Sequence, residues 1–176
     1  MPREQFLEEL NLFFDSVAGA VLECGGEVLR FIGDTVLAIF PFAEQGSQGT
    51  HGTAGAAQVC YSAAEVVREA ERRVAAVNRA RIGSDRVKIR YGVGLHVGDV
   101  TYGNIGTPER LEFTVIGAAA NEAARIESLC KTLDTLVLIS DEFARHFPEA
   151  LVSLGRHRLR GVAGEREIFM LPPPAA

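Results

Sequence analysis

The chain has 176 residues, 47% of them apolar, and a net charge of −5. This length suits one domain with a hydrophobic core, and the apolar fraction excludes an intrinsically disordered chain. The acidic balance argues against a nucleic-acid-binding protein, which would present a basic face. No apolar run is long enough to span a membrane and the charged N-terminus lacks a signal-peptide core, so we expect a cytoplasmic protein. The three cysteines are odd in number and widely spaced, which predicts buried free thiols in a reducing compartment.

The opening segment predicts a helix followed by a tight hairpin. Residues 4–24 place their apolar side chains on one helical face, and a pair of glycines is typical of the helix end. Residues 27–40, EVLRFIGDTVLAIF, form two apolar, β-branched stretches around Gly33-Asp34, which predicts two strands and a two-residue turn. The carboxylate of Asp34 serves either the turn geometry or a hard cation such as Mg²⁺. Arg30 is either an edge residue with its stem on apolar surface or a donor that points into a pocket.

The stretch VKIRYGVGLHVGDV contains glycines at a spacing that invites a nucleotide-binding interpretation. Gly92-x-Gly94 begins like a dinucleotide-binding fingerprint. The third glycine, Gly98, comes one place too late and no helix follows, so we reject this interpretation. His96 lies in the same strand-like run, and we expect it to be packed rather than to bind a ligand.

The rest of the chain predicts helices and strands in an order typical of an α+β protein, with helices covering a mostly antiparallel sheet. We expect a single domain over residues 1–176, with residues 171–176 as a disordered tail. The further predicted elements are a loop over 43–55, a helix over 56–81, a strand over 87–100, a hairpin over 100–117 with its turn at 106–109, a helix over 119–133 with Ala119, Ala123, Ile126 and Leu129 as its buried stripe, a strand over 135–140, a short helix capped by Asp141, and strands near 152–159 and 166–171.

Three polar side chains in the second half are candidates for binding an anion. Asn121 and Arg125 are four residues apart on a predicted helix and share a face away from its apolar stripe. That face is either simply solvated or, because its neighbours are small alanines, able to reach an anionic ligand. Arg160 follows a predicted strand and is either solvated or a phosphate ligand. No Ser-His-Asp arrangement, phosphate loop or zinc-ligand spacing is present.

Two long segments resemble the class III adenylate and guanylate cyclase catalytic domain of the bacterial type. GGEVLRFIGDTVLAIF is similar to a hairpin of that family, and GVGLHVGDVTYGNIGTPERLEFTVIGAAANEAARIE is similar to its later hairpin and catalytic helix. The resemblance runs from about residue 5 to residue 171. It implies a ferredoxin-like, βαββαβ-derived α+β fold, and conversion of a nucleoside triphosphate to a 3′,5′-cyclic monophosphate and pyrophosphate.

The resemblance also implies a substrate site formed with two metal ions, Mg²⁺ or Mn²⁺, between two subunits. In that family the subunits associate head to tail, so we expect a homodimer in which Asp34 of one subunit faces Asn121 and Arg125 of the other. Carried over by motif, Asp34 is a metal-binding aspartate, Asn121 orients the ribose, Arg125 stabilises charge on the reacting phosphate, Arg160 contacts the terminal phosphates, and Arg30 with Thr114 reads the purine base.

The resemblance is incomplete at the N-terminus. The family's first strand, which carries the second metal-binding aspartate, and the phosphate-binding loop after it have no counterpart in these 176 residues. Asp15 lies in the first predicted helix and does not replace that aspartate. We expect a truncated version of a longer protein rather than a degenerate relative, since the other site residues are intact.

The base-reading pair departs from the family as well. Adenylate cyclases of this family carry lysine and aspartate where this chain has Arg30 and Thr114, although a bacterial branch also has threonine. Arginine only donates hydrogen bonds, so it cannot accept from guanine as the glutamate of guanylate cyclases does. We therefore expect ATP as the preferred substrate. The alternatives are a guanylate cyclase and a non-catalytic cyclase-homology domain that binds nucleotide or dimerises.

Overall fold

The computed structural model describes residues 3–42, 55–107 and 110–172, which group into two compact units. The first unit contains Met1–Gly55 and Tyr61–Arg90, and the second contains Ala56–Cys60 and Tyr91–Ala176. The predicted loop over 43–55 (except Gly55), half of the predicted turn at 106–109 and most of the predicted tail lie outside the described residues. That residues 1–176 form a single domain stays a prediction.

The first unit consists of two helices and a hairpin, as the sequence predicts. Helix α1 contacts both strands, and the rings of Phe14 in α1 and Phe31 in β1 are 4.4 Å apart between centroids. The helix ends where Gly25 takes a φ of 82° and the N–H of Gly26 donates to the carbonyl of Val21, an arrangement that glycine permits. The elements are α1 (Arg3–Glu23), β1 (Glu27–Ile32), β2 (Thr35–Ile39) and α2 (Ala56–Ala80), whose first turn groups with the second unit.

The hairpin of β1 and β2 is antiparallel and closes through the predicted two-residue turn. Ile32 pairs with Thr35, so only Gly33 and Asp34 lie between the strands. Gly33 has a φ of +62°, which glycine adopts without the steric cost that a Cβ atom brings. A register shift between Val28 and Arg30 places one extra residue in β1. The paired strands therefore fix the backbone on both sides of Asp34.

The second unit contains a four-stranded sheet, a separate hairpin and two helices. The sheet has the order β3-β6-β8-β7, in which β3 and β6 are parallel and the other neighbours are antiparallel. This mixture of helices with a mostly antiparallel sheet is the predicted α+β class. The elements are β3 (Val93–Leu95), the hairpin of β4 (Thr101–Thr107) and β5 (Arg110–Ile116), α3 (Ala118–Cys130), β6 (Val137–Ser140), α4 (Asp141–Ala144), β7 (Val152–Arg158) and β8 (Glu165–Met170).

Two local predictions in this unit are wrong. The strand expected over 87–100 is confined to Val93–Leu95. The cap of α4 is Ser140 rather than Asp141, because the Ser140 side chain accepts a hydrogen bond from the Phe143 N–H at 3.1 Å. Asp141 is instead the first residue of the helix, where its negative charge suits the positive end of the helix dipole.

The glycines around β3 allow helix α3 to lie directly against that strand. At Gly94 the nearest atoms are backbone atoms of α3, which cannot move aside without shifting the helix. The spacing that resembles a nucleotide-binding fingerprint thus serves helix–strand packing. An added Cβ would lie 2.7 Å from Cys130 Cβ at Gly92, 2.5 Å from the Ala123 carbonyl oxygen at Gly94, and 2.7 Å from Ala119 Cβ at Gly98.

A hydrophobic cluster joins α3 to the sheet. Ile126 of α3 and Leu138 of β6 are fully buried, as is Ile168 of β8. The same cluster includes Leu159, which follows β7. The last turn of α3 and the connection between β7 and β8 are therefore anchored in one core.

The three cysteines are free thiols, as predicted; Cys60 and Cys130 are buried as expected, whereas Cys24 is only half-buried. Burial raises the pKa of the Cys60 thiol to about 11, and that of Cys130 to about 11 as well. Both thiols are therefore protonated and unreactive at neutral pH.

His96 is packed inside the second unit, as expected. Its side chain is 5% exposed, and its Nδ1 lies 2.9 Å from Ser140 Oγ and 3.7 Å from Glu142 Oε2. Burial lowers the pKa of His96, although the nearby carboxylates of Glu122 and Asp141 oppose that shift. The imidazole is therefore neutral at pH 7.

We expect Gly94→Ala to lower the free energy of unfolding by about 1–3 kcal/mol, the usual cost of forcing an extra carbon into a packed interior. The matched control is Gly103→Ala in β4, where an added Cβ meets no described atom within 4 Å. Urea denaturation of the two variants checks the prediction. Equal stabilities would show that α3 does not rest on the Gly94 backbone.

We expect the free energy of unfolding to fall as the pH drops below 6.5, the ordinary pKa of histidine. Since the folded pKa of His96 is lower, the unfolded chain binds the proton first and acid favours unfolding. His96→Asn should flatten this part of the profile, measured by urea denaturation in neutral and mildly acidic buffers. A profile that keeps its slope in the variant would assign the effect to other groups.

Candidate functional site

The six residues singled out from the sequence divide between the two units. Asp34 and Arg30 belong to the hairpin of the first unit. The second unit carries the remaining four: Thr114 on β5, Asn121 and Arg125 on α3, and Arg160 after β7. Within its own unit, each of these residues lies on, or close to the end of, a strand or helix.

Asp34 is exposed at the tip of the β1–β2 hairpin. Arg30 is half-buried on β1 and pairs with Leu37 of β2 in the ladder. Within the described ranges, no three His, Cys, Asp or Glu side chains are grouped so as to hold a metal ion. Asp34 still fits a magnesium-type ligand, because Mg²⁺ is often bound by one or two carboxylates together with substrate phosphates and water.

Asn121 and Arg125 lie one turn apart on α3, and both are exposed. Their exposure follows from how the opposite side of the helix is held. Ile126 is fully buried in the core, and Ala123 presents its backbone to Gly94. The amide and the guanidinium therefore project from the free side of a helix whose other side is fixed.

Glu122 lies on the buried side of α3 and is not among the residues predicted from the sequence. The predicted stripe omitted it, whereas the observed buried residues of α3 are Glu122, Ile126 and Cys130. Glu122, Ile126 and Cys130 are four residues apart, which is the spacing of one buried helical face. An acidic residue with this spacing is buried only when a cation faces it, and the spacing does not reveal that cation.

That cation is Arg166 on β8. Its Nε donates to Glu122 Oε1 at 2.7 Å and lies 3.8 Å from Glu142 Oε1. The hydrogen bond and charge of Glu122 raise the pKa of Arg166. Burial and the hydrogen bond with Asp141 raise the pKa of Glu142. Arg166 thus links two helices of the unit, α3 and α4, to the sheet.

Arg160 is exposed at a tight turn between β7 and β8. The preceding residue, Leu159, is 3% exposed and belongs to the hydrophobic cluster with Ile126. The Val162 N–H donates to the Leu159 carbonyl at 3.1 Å, and Gly161 has a φ of 79°. The turn places the guanidinium at the surface while its neighbour anchors the backbone.

Thr114 lies in β5, where it pairs with Gly103 of β4. Its side chain lies outside the described part of the chain, so its role in reading a base stays a prediction. No helix in the described residues is both long and apolar enough to cross a lipid bilayer.

Comparison with known proteins gives consistent matches. The family model described as "Adenylate and Guanylate cyclase catalytic domain" matches residues 3–171. The chain is 32% identical to "Adenylate cyclase 1" of Rhizobium meliloti over 139 residues, which are 78% of this chain and 19% of that protein. It is 31% identical to "Adenylate cyclase" of Anabaena cylindrica over 78% of this chain and 25% of that protein. The chain thus spans a quarter or less of these relatives.

Among solved structures, the chain is similar to the adenylyl cyclase CyaB from P. aeruginosa, with a TM-score of 0.83 and 22% identity over 99% of this chain and 86% of that one. It is also similar to the guanylyl cyclase Cya2, with a TM-score of 0.77 and 24% identity over 96% and 81%. These structures share the fold of both units. With the family model covering nearly the whole chain, this protein belongs to the adenylate and guanylate cyclase catalytic domain family.

Proposed function

We propose that this chain is a catalytic domain that converts ATP to 3′,5′-cyclic AMP and pyrophosphate for intracellular signalling. The ribose 3′-oxygen attacks the α-phosphorus in line, and the bond from that phosphorus to the bridging oxygen of pyrophosphate breaks. The observation that carries the proposal is the pair Asn121 and Arg125, exposed one turn apart on a helix fixed against β3. The family match supports the same reaction class.

The residues of α3 and the β7–β8 turn suit the sugar and the phosphates. The Asn121 amide both donates and accepts hydrogen bonds, so it can orient the ribose. The Arg125 guanidinium can donate two parallel hydrogen bonds to the α-phosphate, whose charge grows as the reaction proceeds. Arg160 would bind the terminal phosphates from its exposed turn.

Asp34 would hold the metal, Mg²⁺ or Mn²⁺, through its carboxylate. Its exposed position on a two-residue turn between paired strands supports this role, because the backbone there is fixed. The bound metal would favour deprotonation of the attacking hydroxyl and neutralise charge on the triphosphate.

Arg30 and Thr114 favour ATP over GTP. A guanidinium can donate to N1 or N7 of adenine, and a threonine hydroxyl can accept from the adenine amino group. Arginine can also donate to O6 or N7 of guanine, but it cannot accept the hydrogen bonds that guanine donates from N1–H and the N2 amino group. The names of the two relatives, both adenylate cyclases, point the same way. GTP is the alternative substrate, since a guanylyl cyclase has the same fold.

The active assembly would be a head-to-tail homodimer, in which Asp34 of one subunit serves Asn121 and Arg125 of the other. The family resemblance supports this arrangement. A non-catalytic, nucleotide-binding or dimerising domain is the second candidate. It is favoured by the solitary carboxylate at the hairpin tip, since the described residues contain no larger group of metal ligands.

We expect the purified chain to form cyclic AMP from ATP with Mn²⁺, and to form less cyclic GMP from GTP. Mass spectrometry of the products checks both outcomes. Asp34→Ala should abolish the product, because the metal loses its carboxylate ligand. A folded dimer that binds nucleotide but yields no product would favour the non-catalytic candidate.

We expect Asn121→Ala and Arg125→Ala each to lower kcat by about 10²–10³-fold, the usual effect of removing a group that stabilises transition-state charge. Steady-state kinetics measure the loss, and thermal melting tests whether folding is preserved. Ser128→Ala is the control, because Ser128 is also exposed on α3. Unchanged rates in both variants would contradict the assigned roles.

A further inference from the structure

A charged pair lies beneath the helix that carries Asn121 and Arg125. Glu122 directly follows Asn121 in α3, and its side chain is only 11% exposed. Arg166 on β8 reaches it from the sheet and is 31% exposed. The pair joins residues 44 positions apart in the chain.

The contact is a short, directional hydrogen bond as well as an ion pair. Nε of Arg166 donates to Oε1 of Glu122 at 2.7 Å, the length typical of charge-assisted bonds. A buried carboxylate without such a partner would be strongly unfavourable. The bond therefore favours the rotation of α3 about its axis that presents Glu122 to β8.

The other contacts of α3 act at different points of the helix. Ala119 and Ala123 meet glycines, Ile126 contacts a hydrophobic cluster, and in the last turn Cys130 Sγ donates to the Val93 carbonyl oxygen at 3.4 Å. These contacts set how closely α3 approaches the strand, whereas the bond between Glu122 and Arg166 adds a directional restraint in the first half of the helix, beside Asn121. Because Asn121 and Glu122 are adjacent, even a small turn displaces the exposed amide.

Arg166 is itself held in place from the far side. Its Nε lies 3.8 Å from Oε1 of Glu142, in the first turn of α4. His96 lies 3.7 Å from the other oxygen of Glu142. Arg166 thus lies between the carboxylates of α3 and α4, with a hydrogen bond to Glu122 and a longer ion pair with Glu142.

We propose that Glu122 and Arg166 are a positioning pair that sets the rotation of α3, and with it the placement of Asn121 and Arg125 against the nucleotide. The inference rests on the proposed cyclase function. Neither residue contacts the reacting atoms in this scheme, so the pair acts through its neighbours on the exposed side of the helix.

The decisive variant replaces both partners by apolar residues, Glu122→Leu with Arg166→Met. Replacing a buried ion pair by apolar groups commonly preserves stability, whereas removing one partner leaves a buried charge. We expect the double variant to melt near the wild-type temperature while its kcat is about 10–100-fold lower, with KM little changed. If the double variant has both the melting temperature and the kcat of the wild type, the pair has only a structural role and the proposal is wrong.

Glu122→Gln provides a second, milder variant should the double variant fail to fold. It keeps an acceptor for Arg166 but removes the charge, so we expect a smaller fall in kcat at unchanged KM. Glu165→Gln is the matched control. Glu165 directly precedes Arg166 in β8 and is exposed, and its Oε2 lies 3.9 Å from Nε of Arg156. The control should keep wild-type kinetics.

Amide hydrogen exchange tests the pair without relying on activity. In either variant we expect faster exchange over residues 121–125 of α3, whose amides can donate within the helix, and unchanged exchange in β6. If the wild-type chain makes no cyclic nucleotide, the proposed function fails while the exchange result still decides on the pair. Wild-type exchange across α3 in a folded variant would overturn the positioning role.

Discussion

The close packing of α3 on β3 is the constraint on which the second unit depends. It exists because Gly94 has no side chain, so the strand backbone can approach the backbone of Ala123. With the helix held at this distance, only one side of it remains open to solvent. Asn121 and Arg125 lie on that open side, so the polar chemistry of the helix follows from a packing requirement on its opposite face.

The same core that holds α3 also holds the turn bearing Arg160. Ile126 and Leu159 meet in one hydrophobic cluster, and each is next in sequence to an exposed arginine. Pairing a buried anchor with an exposed cation fixes the backbone of the charged residue while leaving its guanidinium accessible. Arg125 and Arg160 are exposed in this way without unpaired charge being placed in the interior.

In the first unit, the hairpin of β1 and β2 restrains the backbone of Asp34 while its carboxylate is exposed. The strands are paired up to the residues that flank Gly33-Asp34, so the turn has little freedom. A negatively charged side chain is thus exposed on a backbone of limited freedom.

The sequence by itself determined the local elements and the identity of the family. The turn at Gly33-Asp34 and the end of α1 at Gly25 depend on residues adjacent in the chain, so their patterns could be interpreted directly. Tertiary structure alone decided the roles of Gly94 and Glu122. Gly94 serves packing because a helix lies against it, and Glu122 is buried because Arg166 comes from a strand far along the chain. Sequence periodicity reports which face of a helix is apolar, but it does not report which distant residue will compensate a buried charge.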